Sequence, residues 1–154
     1  MMNFANAKNV VQISTIALNG AFIGAMVLIG LVIAPFWQNT EPQSFLDWFT
    51  AYGSSIGNLM IPLGPGVLIF AVLAFFMSKE NKLLWGLTIA FTLANILYFP
   101  VYFLPTNASF SEQTINIMGV SDELSTWVNF HWQRVLFAIA ALVTSITAVI
   151  NSKQ

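Results

Sequence analysis

No cysteine occurs among the 154 residues, and only 7% of them are charged. The first absence removes disulfides, iron–sulfur ligation and thiol redox chemistry, and with them quinone reductases of the paired-cysteine kind. The second argues against a water-facing surface, because soluble domains carry charge at about 25% of positions. Basic residues are scarce too: five Lys and Arg against six Asp and Glu give a formal net charge of −1, which makes nucleic acid a poor partner. Histidine and arginine occur once each, as His131 and Arg134. A lone histidine is a weak basis for zinc, which is held by several protein ligands. It also rules out two-histidine haem ligation within one chain, while a dimer sharing a haem or metal through His131 stays open. No cofactor is expected.

What is abundant is apolar length, with 57% hydrophobic residues. Crossing the hydrocarbon as a helix takes about 20 mostly apolar residues, and lipid admits only helices or closed barrels because the backbone must satisfy itself. Suitable runs lie at about Val10–Trp37, Ser55–Met77, Leu83–Leu104 and Phe130–Ile150. The expectation is an all-α, integral membrane four-helix bundle, with residues 1–154 forming a single four-span membrane domain. The first run is too long for a signal-peptide core and no A-x-A-like site follows it, so it reads as a mature helix. Lys8, Lys79, Lys82 and Lys153 flank one set of ends, whereas the other two connections hold Glu41, Asp47, Glu112, Asp122 and Glu123 and no lysine. By the positive-inside bias both termini are expected in the cytoplasm, in a multi-pass protein of a bacterial inner membrane. Arg134 is the exception on the acidic, outer side.

The connections carry local signals of their own. In "TEPQSFLDWFTAYG" Thr40 can cap a helix, Pro42 suits its first turn and Gly53 can end it. Phe45, Trp48, Phe49 and Tyr52 then share one face, giving a short amphipathic helix that either lies in the headgroups or roofs a pocket. In the third connection Ser109 and Glu112 have capping-box spacing, Gly119 can stop a short helix and Ser121 can cap the next. Within the second run, Pro62 and Pro65 leave the carbonyls of Asn58 and Ile61 without helical donors, which predicts irregular backbone in the outer half of the membrane.

The last run concentrates the chemistry. Glu123, Trp127, His131 and Arg134, at about 100° per residue, occupy one sector about 80° wide. Ala138, Ala141 and Ser145 continue that face and permit close helix approach or leave room for a ligand. Arg134 falls just inside the outer hydrocarbon edge, where it either snorkels to phosphates or holds an anion with its planar fork. His131, one turn nearer the water, suits proton transfer near neutral pH, yet interfacial histidines also serve structure alone. Thr88, Thr92 and Asn95 line one face of the third run, and Ser14, Thr15 and Asn19 one face of the first. Interhelical hydrogen bonding is their default role, with Asn95 reaching the level of His131 and Arg134. Gly20 and Gly24 form a small-xxx-small packing pair.

"GAFIGAMVLIGLVIAPFW", the aromatic stretch after it, "FLPTN" at the end of the third run and Trp127-x3-His131-x2-Arg134 together resemble the anthrone oxygenase family of small four-helix membrane proteins. Relatives often have asparagine where this chain has His131. The resemblance implies oxidation of an anthrone to an anthraquinone without metal or flavin. It makes His131 and Arg134 the catalytic pair, His131 taking a ring-methylene proton and Arg134 stabilising the oxyanion. Trp127 would stack on the ring and Asn95 and Asn107 orient it; where the aromatic helix roofs the pocket, Trp48 and Tyr52 complete the binding surface. The expected partner is a small hydrophobic molecule or lipid, with a homo-oligomer or a place in a larger membrane complex left open. The competing class is a non-catalytic membrane subunit or a quinone- or lipid-binding protein.

Overall fold

The structure, a computed structural model, describes residues 3–152. Among them the helices α1 (Phe4–Gln38), α2 (Pro42–Met77), α3 (Lys82–Ser111) and α4 (Val120–Asn151) are each long enough and apolar enough to cross a membrane. Short connections force sequential helices to run antiparallel and pack as neighbours. Each does so, and α4 closes on α1. Large apolar side chains such as Leu31, Ile69, Phe76, Val101 and Leu136 point outward, as hydrocarbon-facing residues do. The helices extend beyond the apolar runs, so the aqueous connections are mostly continuations of spans.

The start of α1, the end of α4 and the α2–α3 connection meet at one end of the bundle. Lys8 Nζ lies 3.9 Å from Glu80, Gln12 donates to Ser78 Oγ over 3.0 Å, and Asn81 donates to the Ala148 carbonyl over 3.1 Å. Lys82 turns back to the Phe75 carbonyl. Lys153 falls outside the described residues. The acidic connections lie at the opposite end, where the largest aromatic cluster is packed.

Polar side chains tie the helices at intermediate depths. Asn19 donates to the Ala138 carbonyl over 3.2 Å, and the Thr88 and Thr144 hydroxyls lie 2.9 Å apart. Thr15 and Thr92 instead bond carbonyls of their own helices.

Several local expectations change. Helix α2 runs on through Gly53, so Pro42 to Gly53 is the first third of a long helix rather than a separate element. Thr40 bonds back to the Phe36 carbonyl and Glu41 occupies the cap position. Ser109 and Glu112 close a helix instead of opening one, and the cap in that connection is Asn116, whose side chain accepts from Met118 N–H. Gly20 and Gly24 face outward, with nothing within 4 Å of where a Cβ would stand. The packing glycine is Gly30, where a Cβ would come 2.7 Å from the Trp132 ring.

Pro62 and Pro65 sit inside α2 without interrupting it. The irregular backbone is in α1 and α3, as π turns at Ile29–Ile33 and Phe99–Phe103. In each the amide just beyond the turn reaches back five residues, Ala34 to the Ile29 carbonyl and Leu104 to the Phe99 carbonyl. Pro35 follows the first turn and Pro100 lies within the second. Neither can supply an amide, and widening the helix is one way to absorb the lost bond.

Candidate functional site

A cavity of about 140 Å³ lies between all four helices, in the half of the bundle away from the lysines. Its wall is apolar over most of its extent, through Phe22 and Ile29 of α1, Ile56 and Met60 of α2, and Phe99 and Phe103 of α3. Ile29, Phe99 and Phe103 belong to the π turns. The extra residue in each turn re-aims the side chains beyond it, a use of π turns often found at functional sites.

Helix α4 supplies Trp127, His131 and Arg134 to the same cavity, as their common helical face requires. Trp127 donates from Nε1 to Asn107 Oδ1 over 2.9 Å, which fixes the indole. The His131 ring is stacked on it, with centroids 5.1 Å apart and planes 7° from parallel. His131 Nε2 is 2.8 Å from the Met26 carbonyl oxygen. A carbonyl can only accept, so in the neutral ring Nε2 carries the hydrogen and Nδ1 is left as the acceptor.

Arg134 is 8% exposed. Its guanidinium carbon stands 4.6 Å from the centre of the Phe103 ring, and its Nε has no hydrogen-bond partner. Among the described residues no side-chain bond joins Arg134 to the Asn58 or Ile61 carbonyls or to Asp47. Asp47 instead accepts from Gln43 and Gln113, both over 3.0 Å. Glu123, although on the Arg134 face, accepts from Tyr102 Oη over 2.7 Å and from Thr106 over 3.4 Å. Among the described residues the one ion pair is Lys8 with Glu80 at the other end. A buried cation is costly unless a charge or a set of acceptors compensates it. Phe103 supplies only the modest attraction of a ring face.

Asn95 joins α3 to this centre, donating to the Arg134 carbonyl over 2.7 Å while its Oδ1 is buried without a partner. Trp37 Nε1 is buried and unpartnered as well. The cavity is therefore lined by residues that bring two free acceptors, Asn95 Oδ1 and His131 Nδ1, two free donors, Trp37 Nε1 and Arg134 Nε, and one uncompensated positive charge inside an apolar shell. Among the described residues no three His, Cys, Asp or Glu side chains gather.

Of the residues singled out in the sequence, His131, Arg134, Trp127, Asn95 and Asn107 all line this cavity. Trp48 and Tyr52 do not: Tyr52 is exposed and stacks on Trp48 at 5.3 Å, and Trp48 packs behind the wall against Trp37 at 5.4 Å. Their helix contributes Phe49 and Gly53 to the wall. Trp37 and Phe103 escaped sequence reading. A tryptophan at the end of an apolar run looks like an interfacial anchor, and Phe103 gains its role by standing under Arg134 of another helix. Pro35 in the first apolar run and Pro100 in the third were the available signal for the π turns. Compared with models of known families, with curated proteins and with solved structures, the chain matches none.

Proposed function

We propose that this chain is a multi-pass membrane protein that binds a flat hydrophobic molecule with an acidic hydroxyl or enol, anthrone- or quinol-like, and oxidises it with molecular oxygen at the outer end of the bundle. The observation that carries this reading is Arg134: a buried guanidinium with no carboxylate beside it, facing an apolar cavity. An oxyanion on a bound ring would supply the missing countercharge, with the planar fork donating to it. Asn95 Oδ1 and Trp37 Nε1 supply an acceptor and a donor for the ring's other polar groups. The aromatic wall suits a planar ligand.

In the oxidation, His131 Nδ1 accepts the proton that leaves the ring, since Nε2 is engaged by Met26. For an anthrone the resulting enolate passes its electrons to oxygen. The methylene becomes a carbonyl, one atom of O2 ends in that carbonyl and the other leaves as water with the two methylene hydrogens. A quinol instead loses two electrons and two protons to O2, giving the quinone and hydrogen peroxide, so in both cases oxygen is the only co-reactant required. The test is oxygen uptake by the purified protein with anthrone or an alkylated hydroquinone, comparing His131→Asn with the unaltered protein. Asparagine preserves hydrogen bonding but cannot take a proton near neutral pH, so uptake should fall by about 10²-fold or more. Undiminished uptake removes His131 as the base.

A second reading, a non-catalytic quinone- or lipid-binding membrane subunit, is favoured by the way His131 is pinned between Trp127 and the Met26 carbonyl. Saturable binding of the same ligands without oxygen uptake selects it.

A further inference from the structure

The size and opening of the cavity bear on which flat molecule it takes. A cavity of about 150 Å³ lined by apolar side chains holds one benzene ring, and this one measures about 140 Å³. Three fused rings carry more than twice the ring carbons of one and do not fit without displacement of the wall. A site of this volume is matched to a single ring.

The wall is sealed on some sides and open on one. Phe22, Trp37, Trp127 and His131, from α1 and α4, are all at most 6% exposed. On α2, Ile61 lines the cavity and is also 51% exposed, so at this point the wall is the outer surface of the molecule. Pro65, a turn further along, is exposed too, and Ile96 and Phe99 across the gap on α3 are half-buried. Gly57 borders this gap, which is open there: a Cβ would meet nothing closer than Ile61 Cδ1, on its own helix, at 3.9 Å. The gap narrows at Gly64, where a Cβ would stand 3.4 Å from Ile96.

The depth of the gap decides what it opens onto. Taking the hydrocarbon edge at Ser78, beside Lys79, a core of about 30 Å at 1.5 Å per residue reaches about 20 residues up α2, to about Gly57. Ile61 and Pro65 then face acyl chains, not water or headgroups. On α4 the same length counted from Asn151 reaches His131, so the ring site lies just inside the hydrocarbon, level with the upper end of the gap.

We propose, on the basis of the ring-binding reading above, that the ligand is a single hydroxylated aromatic ring carrying a long apolar chain. The ring occupies the cavity with its hydroxyl toward Arg134, and the chain leaves between α2 and α3, beside Gly57 and Ile61, into the bilayer. Ring and chain then need no passage through water. The absence of enclosed space for a chain is explained, because the bilayer itself solvates it.

Quenching of tryptophan fluorescence tests this, since Trp37 and Trp127 line the cavity. The purified protein in lipid nanodiscs is titrated with methylhydroquinone, decylhydroquinone and anthrone. Gly57→Leu, which fills the gap without adding a fluorophore, is expected to weaken decylhydroquinone by tenfold or more and leave methylhydroquinone within about twofold. Gly20→Leu, on open surface away from the gap, should change neither. Ile61→Phe, in the same gap one turn on, serves if the Gly57 variant does not fold. Equal effects on both hydroquinones, or none, overturn the path of the chain while ring binding stands. Tighter binding of anthrone than of either hydroquinone overturns the one-ring class and leaves the broader reading intact. If no flat ring quenches saturably, both this inference and the reading beneath it fail.

Discussion

Arg134 puts two demands on this protein that pull in opposite directions. Without a bound anion its guanidinium is a stability liability, since breaking or omitting the partner of a buried charge is costly and an apolar residue of similar volume is often better tolerated. Arg134→Met should therefore hold or raise the unfolding free energy by about 1–3 kcal/mol, while abolishing binding of an anionic ring. Arg134→Lys keeps the charge but loses the planar fork, and should lower affinity without the gain in stability. Thermal unfolding in detergent, read beside ligand titration, separates these outcomes. Destabilisation by methionine would assign Arg134 to the scaffold. At this scale the sequence was informative where a residue type is rare: His131 and Arg134 stand out because each occurs once, and helical spacing sets Trp127 on their face. It was uninformative for Trp37 and for Trp48 and Tyr52. One of five tryptophans cannot be told from another until the bundle decides which of them faces inward.

Among the elements, α4 was the most legible and α2 the least. Its own periodicity defines the α4 stripe, whereas the end predicted at Gly53 did not occur because the chain continues in helical geometry toward Ile56 and Met60. Glycine permits a helix end but does not impose one. The irregular backbone expected at Pro62 and Pro65 did not occur, since both are carried within α2, and the π turns form instead beside Pro35 and around Pro100, which the sequence reading passed over. The α1 turn also makes a close contact: Gly30 lies against Trp132, adjacent to His131. Gly30→Val should push the indole aside at a cost of about 1–3 kcal/mol for overpacking. Ring binding should weaken with it, because Trp132 sits 6.3 Å from the His131 ring. A double variant that also carries Trp132→Leu should recover part of the lost stability, a non-additivity expected of residues in contact. Strict additivity would mean that the two side chains do not press on each other.

The four-helix outline follows from apolar length alone, and short connections leave little choice but sequential antiparallel packing. Which end faces the cytoplasm rests on lysine placement, and the structure gives that inference a sharper form by gathering Lys8, Glu80, Asn81 and Ala148 at one end. Lys8, Glu80 and Asn151 must therefore share a side of the membrane, and Ser44 and Glu112, in the acidic connections, must share the other. The cysteine-free sequence makes this directly measurable, because a single introduced cysteine is the only thiol to label. Cysteine at Glu80 or Asn151 is expected to stay unlabelled by a membrane-impermeant maleimide added to intact cells and to react after lysis, with Ser44→Cys reacting in intact cells. Labelling of the two sets in the reverse order would turn the molecule over and place the Arg134 cavity in the cytoplasmic half. The cavity and its gap between α2 and α3 would be unaffected, but the gap would then open toward the inner leaflet. Mixed labelling of Glu80 and Asn151 on opposite sides would instead break the shared end itself, and with it the square packing on which the cavity depends.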